Sequence, residues 1–252
     1  ERPVAMQLLA KDETRMLEAA RRLMARQPDI IDLNAGCPVN KVALKGRGAG
    51  LLRDPLLLGR LVAALVGALP VPVTVKIRLG WDDASRNYRE VAHILAESGV
   101  SAIAVHGRTR EQGYAGRADW DAIAEVKTRV GVPVFANGDV RSVADIDAIV
   151  AATGCDAVMI GRGAIGNPWI FARKDVEEAP VEERVAVMRR HLGAMVSYYG
   201  EELGVILFRK HVVRYVLALD GATILRRRLV ACDTEEAVLA VFDDISDRSE
   251  IG

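Results

Sequence analysis

Cysteine is scarce: three residues in 252, at Cys37, Cys155 and Cys232, widely spaced and without a CxxC pair. An odd, dispersed set argues against a disulfide framework and makes a reducing cytoplasm the simpler home. No sign of charge prevails, because 34 basic and 34 acidic side chains cancel. That excludes a uniformly basic coat for nucleic acid, though not local basic patches. Long apolar runs are missing too. The longest charge-free stretch, Leu61 to Val75, is 15 residues long and carries Pro70 and Pro72. A membrane span needs about 20 apolar residues, so none fits there. No signal-peptide pattern opens the chain, and residue 1 is Glu rather than Met. The histidines show no metal-ligand spacing, so no metal site is expected. What is present is a half-apolar, 27% charged chain, the composition of a soluble globular protein. Its length allows one large domain or two ordinary ones, and lies close to the roughly 250 residues of a TIM barrel.

From residue 4 to about 174, short β-type runs alternate with helical patterns. The runs are Val4–Leu9, Ile30–Asn34, Val73–Leu79, Ala102–His106, Pro133–Asn137 and Ala157–Gly161. Helices are expected over Glu13–Arg26, Pro55–Leu69, Arg86–Ser98, Trp120–Arg129 and Val143–Ala152. The strands read as near-continuous apolar runs, the pattern of parallel strands covered on both faces, so the class is α/β. Polar or special residues recur at the strand C-terminal ends: Gln7, Asn34, Lys76 with Arg78, His106, Asn137, and Gly161 followed by Arg162. A barrel gathers its site there from many strands, whereas a doubly wound sheet uses one switch point. The spread favours a TIM (β/α)8-type barrel of which six of eight βα units are present. Residues 175–252 contain no β-type run and read as a small all-α domain, with helices Val181–Tyr199, Phe208–Leu219, Ala222–Arg228 and Thr234–Ile245. The expected domains are therefore 1–174 and 175–252.

Ile31-Asp32-Leu33-Asn34-Ala35-Gly36-Cys37-Pro38 puts a cysteine in a tight loop just past a strand. A Gly-Cys-Pro turn has little packing need for sulfur, which points to a positioned thiol. An ordinary thiol, with pKa about 8.5, is mostly protonated at neutral pH and can act as general acid or as nucleophile. Lys76 lies inside a strand, where an unpaired charge costs several kcal/mol, so it is paired or catalytic. His106 ends the next strand and joins it as a candidate. Gly161-Arg162-Gly163-Ala164-Ile165-Gly166 matches GxGxxG after a strand and before an expected helix. Glu177 and Glu178, the acids about 20 positions on, are not at a strand end, which demotes the dinucleotide reading. Phosphate binding by the loops after the last two strands of a barrel suits both this cluster and Asn137-Gly138-Asp139. Residues 41–53 hold Lys41, Lys45, Arg47 and Arg53 with no acid, for +4. Residues 209–228 hold Arg209, Lys210, Arg214, Arg226, Arg227 and Arg228 against Asp220, for +5. Two such patches suggest a polyanionic substrate.

Asn34-Ala35-Gly36-Cys37-Pro38, with Lys41-Val42 and Gly48-Ala49-Gly50-Leu51-Leu52, resembles the signature of tRNA-dihydrouridine synthases. So do Val75-Lys76-Ile77-Arg78, His106-Gly107-Arg108-Thr109-Arg110, Ala136-Asn137-Gly138-Asp139 and Met159-Ile160-Gly161-Arg162-Gly163. The similarity runs in order from about residue 3 to 172, and more loosely through the tail. It implies an FMN-binding barrel followed by a helical tRNA-binding domain, reducing the C5–C6 bond of particular uridines with NADPH as electron donor. Carried over, Cys37 would be the acid that protonates C5. Gln7, Lys76 and His106 would hold the flavin ring and ribityl chain. Asn137, Gly138, Asp139, Gly161 and Arg162 would cradle the FMN phosphate. Asn34 and Arg108 would face the uridine, with Lys41, Lys45, Arg209, Lys210 and Arg214 along the RNA. The resemblance implies tRNA as partner; a cytoplasmic monomer with neither metal nor membrane is the accompanying expectation. Family members open with a Pro-Met strand and a second strand that are not found here, which would place two units before residue 1. The alternatives are an FMN-dependent reductase of a free pyrimidine, against which the +5 tail argues, and a non-catalytic tRNA-binding remnant.

Overall fold

A computed structural model describes residues 2–249. Six strands form one all-parallel sheet in sequential order. They are β1 (Ala5–Leu8), β2 (Ile30–Ala35), β3 (Val73–Arg78), β4 (Ala102–His106), β5 (Val134–Asn137) and β6 (Ala157–Met159). Helices α1 (Glu13–Met24), α2 (Asn40–Ala43), α3 (Pro55–Ala68), α4 (Tyr88–Glu97), α5 (Trp120–Arg129) and α6 (Val143–Thr153) connect them. Six parallel strands in strict order, the first five each followed by a helix, are the repeat of a (β/α)8 barrel. Local chemistry sets the helix starts. Asp12, Asp54 and Asp119 accept from the N–H groups of Arg15, Leu57 and Ala122, each at 2.9 Å, and Pro55 occupies the first turn of α3. Acids also pin the strand starts: Asp29 accepts from Val4 N–H at 2.6 Å and Asp156 from Val134 N–H at 2.7 Å.

The sheet differs from the continuous apolar runs read in the sequence. Ile31, Leu33, Val73, Val75, Ile77, Ile103, Val105, Val134 and Ala136 are buried against the helices. The alternate positions face the other way and are largely polar. Register aligns Gln7 with Asp32 and Thr74, Asn34 with Lys76, and Arg78 with His106 and Asn137. The strands are thus apolar on the helix face and largely polar on the other, with Ala102, Ala104 and Phe135 among the polar residues there.

Two compact units divide the chain, Glu1–Val140 with Ala144–Ile160 and Arg141–Val143 with Gly161–Gly252. In the second, 3₁₀ turns at Arg162–Ala164, Pro168–Ala172 and Val176–Glu178 precede α7 (Val181–Tyr199), α8 (Glu201–Tyr215), α9 (Ala222–Ala231) and α10 (Glu235–Ser249). Met188, Leu192, Phe208, Val212, Leu229 and Phe242 form its core. Each such side chain contributes about 1.5–3 kcal/mol by leaving water. α8 begins seven residues before the expected Phe208, and Gly204 in its first turn is a point of close approach to α7. A Cβ there would lie 2.8 Å from Val196 Cα. The GxGxxG segment is followed by short 3₁₀ turns, not by the α-helix expected, so it presents no helix N-terminus to a phosphate.

Candidate active site

The thiol loop is built from β2 outward. Asn34 Oδ1 accepts from the N–H groups of Gly36 at 3.0 Å and Cys37 at 2.8 Å, folding the chain back over the strand end. Gly36 then lies against β3, where a Cβ would meet the Lys76 carbonyl oxygen and the Ile77 carbonyl carbon, each at 3.4 Å. Arg78 donates from Nε to the Gly36 carbonyl at 2.8 Å, and from Nη1 to the carbonyls of Thr109 and Gly113 at 2.8 Å. Cys37 is free and half-buried. Its carbonyl accepts from Ala49 N–H at 3.1 Å, and Gly48, at φ +57, leaves no room for a Cβ beside the Cys37 side chain. The loop is therefore clamped from both sides, and Cys37 follows directly on the residue that packs on the backbone of β3.

A polar chain crosses the first three strands. Asn34 Nδ2 donates to Gln7 Oε1 at 2.8 Å, Gln7 Nε2 to Asp32 Oδ2 at 2.6 Å, and Thr74 Oγ1 to Asp32 Oδ1 at 2.7 Å. The Lys76 ammonium makes no hydrogen bond or ion pair among the described residues, although it is mostly buried. Burial and then the Arg78 cation push its pKa down to about 8, against the pull of Asp32. His106 is buried, and burial together with Arg78, Lys76 and Arg108 lowers its pKa to about 3, so it is neutral at pH 7. Arg108 Nη1 lies 3.3 Å from His106 Nε2, which makes Nε2 the acceptor and leaves the proton on Nδ1.

The residues present fit an electron-rich heterocycle. A mostly buried ammonium without a partner and an imidazole held neutral with a proton on Nδ1 are donors that await acceptors. Gln7 stands on the same face, two strands away. Lys76→Met is expected to stabilise the ligand-free chain by about 1–3 kcal/mol at pH 7, since it removes an uncompensated charge. The sign in pH is fixed. The folded Lys76 binds fewer protons than the unfolded one between about pH 8 and its ordinary 10.5, so stability rises with pH across that window. Urea melts of both proteins below and above pH 8 test this; a variant no more stable than its parent at pH 7 overturns it.

Three of the residues singled out in the sequence are engaged within the protein. Arg108, expected to face the uridine, is 2% exposed and donates to the carbonyls of Ala115 at 2.9 Å and Gly116 at 2.6 Å and to the Asp139 carboxylate at 2.7 Å. Asp139, placed among the phosphate ligands, spends its carboxylate on Arg108 and on Ala118 N–H at 2.7 Å. Only its backbone is suited to an anion. Arg209, expected along the RNA, pairs with Asp233 at 2.6 Å and donates to the Cys232 carbonyl. The +5 segment is further reduced by the Arg228–Asp244 pair. Lys41, Lys45, Lys210 and Arg214 are exposed. Asn34 faces Gln7 and the thiol loop, and Asn137 Nδ2 donates to the Met159 carbonyl at 2.7 Å, tying β5 to β6. Gly138 adopts φ +128 beside His106, where a Cβ would lie 3.1 Å from His106 Cδ2. Gly161 and Arg162 are exposed in the second unit. Sequence reasoning passed over Asp32 and Thr74, although their alternation with Leu33 and Val75 marks them as concave-face residues.

A family model for dihydrouridine synthase matches residues 1–250. The chain belongs to the dihydrouridine synthase family. Among its relatives, tRNA-dihydrouridine synthase B of Pseudomonas aeruginosa is 40% identical over 99% of this chain and 78% of its own. The Pseudomonas putida protein of the same name is 40% identical over 94% of this chain and 73% of its own, and that of Vibrio parahaemolyticus 37% over 96% and 79%. As a dihydrouridine synthase the chain is an oxidoreductase of a flavin-dependent family, and its six parallel strands belong to a TIM-type barrel. Among the described residues no helix of this synthase is long and apolar enough to cross a membrane.

Proposed function

We propose that this chain reduces the C5–C6 double bond of uridine in tRNA, with FMN as cofactor, NADPH as electron donor and Cys37 as general acid. The observation that carries the reading is the thiol loop, held by Asn34 and Arg78 against the backbone of β3, at the rim of a polar, cation-rich strand face. Bound there, FMN supplies two electrons and one hydrogen to the pyrimidine, and NADPH restores them. The protein supplies the rest. Lys76 and the His106 Nδ1–H donate to the electron-rich edge of the ring system, and Gln7 holds it from β1. Backbone N–H groups of the Asn137–Asp139 turn are suited to the phosphate. Cys37 gives its Sγ proton to C5 and is left as a thiolate, which takes a proton from solvent before the next turnover. Lys41 and Lys45, exposed beyond the thiol loop, meet the RNA backbone, and exposed Lys210 and Arg214 offer further contacts on the helical unit. The family relationship and the 37–40% identical tRNA-dihydrouridine synthases support the same substrate.

The test uses the purified chain, FMN, NADPH and an unmodified tRNA transcript. The expected result is a yellow protein that consumes NADPH in proportion to tRNA, with a product uridine heavier by two hydrogens. A colourless preparation indifferent to FMN overturns the proposal. Equal activity on free uridine without tRNA replaces it with a free-pyrimidine reductase.

A further inference from the structure

The segment that carries the thiol is longer than the turn described above. Residues 37–53 run from Cys37 through α2 to a 3₁₀ turn, Gly48–Arg53, whose Gly48 packs beside the Cys37 side chain. Near Cys37 the segment is fastened by backbone groups. Its far end is fastened by Asn87, which donates from Nδ2 to the Leu52 carbonyl at 2.7 Å. Between them stands exposed Asn40, the first residue of α2 and three positions after Cys37. It is held from the neighbouring rim, by Arg110.

Trp81 follows β3 and Arg110 follows β4, and backbone bonds join the two segments. Leu79 N–H donates to the Arg108 carbonyl at 3.1 Å, Arg110 N–H to the Gly80 carbonyl and Glu111 N–H to the Trp81 carbonyl, each at 2.9 Å. The Arg110 guanidinium carbon lies 4.4 Å from the centroid of the half-buried Trp81 ring. Its Nη2 donates to Asn40 Oδ1, the one hydrogen bond the side chain makes among the described residues. Its Nε is buried with no partner. A guanidinium so little served by hydrogen bonds depends on the aromatic face for its place. The Arg53 guanidinium carbon lies 4.9 Å from the same centroid. Ser85 and, to a smaller degree, Arg53 hold the carboxyl of the adjacent Asp82 below its ordinary pKa. The ring therefore serves the protein's own cations.

We propose that Trp81 is a positioning residue for the thiol: its ring holds Arg110 against Asn40 and so fixes the segment that carries Cys37. Pro38, with its set φ, stiffens the short path from Asn40 back to Cys37. A long arginine with one bond to an exposed side chain does not keep that register unaided. A reacting group displaced by about 1 Å loses much of its rate. The proposal rests on Cys37 as the acid of the reaction proposed above.

Alkylation of Cys37 by iodoacetamide is timed on the full chain, with labelled sites counted by peptide mass spectrometry. Cys155 and Cys232 are buried, so labelling at Cys37 alone marks a folded protein. Trp81→Leu and Asn40→Ala are each expected to speed Cys37 labelling about fivefold, the factor set by loss of one cation–π or hydrogen-bond contact. Trp81→Phe keeps a ring under Arg110 and the wild-type labelling rate. In turnover, Trp81→Leu lowers kcat about tenfold with KM for tRNA unchanged, and Trp81→Phe restores it. Asn40 is exposed, so its variant reports on the contact even where Trp81→Leu unfolds and labels all three cysteines. A wild-type labelling rate in Asn40→Ala overturns the proposal. So does an unchanged kcat in a Trp81→Leu protein labelled at Cys37 alone. Labelling needs neither flavin nor tRNA. If the variants label as expected while the wild-type chain reduces no tRNA, the proposed function fails and the hold of Trp81 on the thiol segment stands.

Discussion

Cys37→Ala lowers the rate of dihydrouridine formation by about 10²–10⁴-fold while flavin and tRNA binding persist. That range is what a positioned general acid contributes. The separation of effects follows from how the loop is held. Its conformation depends on backbone groups: the Gly36 and Cys37 N–H groups on Asn34, the Gly36 carbonyl on Arg78, and the Cys37 carbonyl on Ala49. None of these involves sulfur, so alanine leaves the loop folded and removes only the proton. Single-turnover reduction of tRNA by the flavin-loaded, pre-reduced variant isolates the step. An unchanged rate would take Cys37 out of the reaction. Asn34→Ala reaches the same step by another route, because it releases the loop with the thiol still present.

The largest effect on stability is expected at Arg108. Arg108→Met strips a 2%-exposed guanidinium of its bonds to two carbonyls and to Asp139, and leaves that carboxylate beside the Ala118 N–H without its cation. Breaking one partner of such a pair costs about 3–5 kcal/mol. The loss extends beyond the pair, since Arg108 ties the segment after β4 to the turn after β5. Urea unfolding of the flavin-free protein measures it. A loss below about 1 kcal/mol, the level of an exposed ion pair, would show that the clamp carries no weight. The same variant removes the donor that faces His106 Nε2, so the ring is freed to exchange its tautomer.

The contrast between the two residues shows what was legible in the sequence. The Cys37 loop is local: strand, Asn-Ala-Gly-Cys-Pro turn and thiol lie within eight residues, and the structure assembles them as read. Ala102–His106, Trp120–Arg129 and Val181–Tyr199 keep the boundaries read from periodicity. Arg108 and Asp139 are 31 positions apart, and nothing local announces that one will neutralise the other. Arg209 and Arg228 looked like free charge for the same reason, because Asp233 and Asp244 lie downstream of the basic segment. Gly204 drew no notice in the sequence, yet it is a point of close approach between α7 and α8. The concave face was half-legible: Lys76, His106 and Asn34 stood out, while Asp32 and Thr74 passed as ordinary members of apolar runs.

The unpartnered Lys76 ammonium has a consequence for the life of the protein. A chain that keeps a mostly buried cation at the centre of its sheet is under electrostatic tension whenever the ring that would accept from it is missing. Any ligand that binds the native form alone raises its stability by mass action. Flavin supply would then govern persistence as well as activity: newly made chains that meet cofactor outlast those that do not. In a flavin-starved cell the pool of this enzyme would shrink by turnover, and the modification would fade with it.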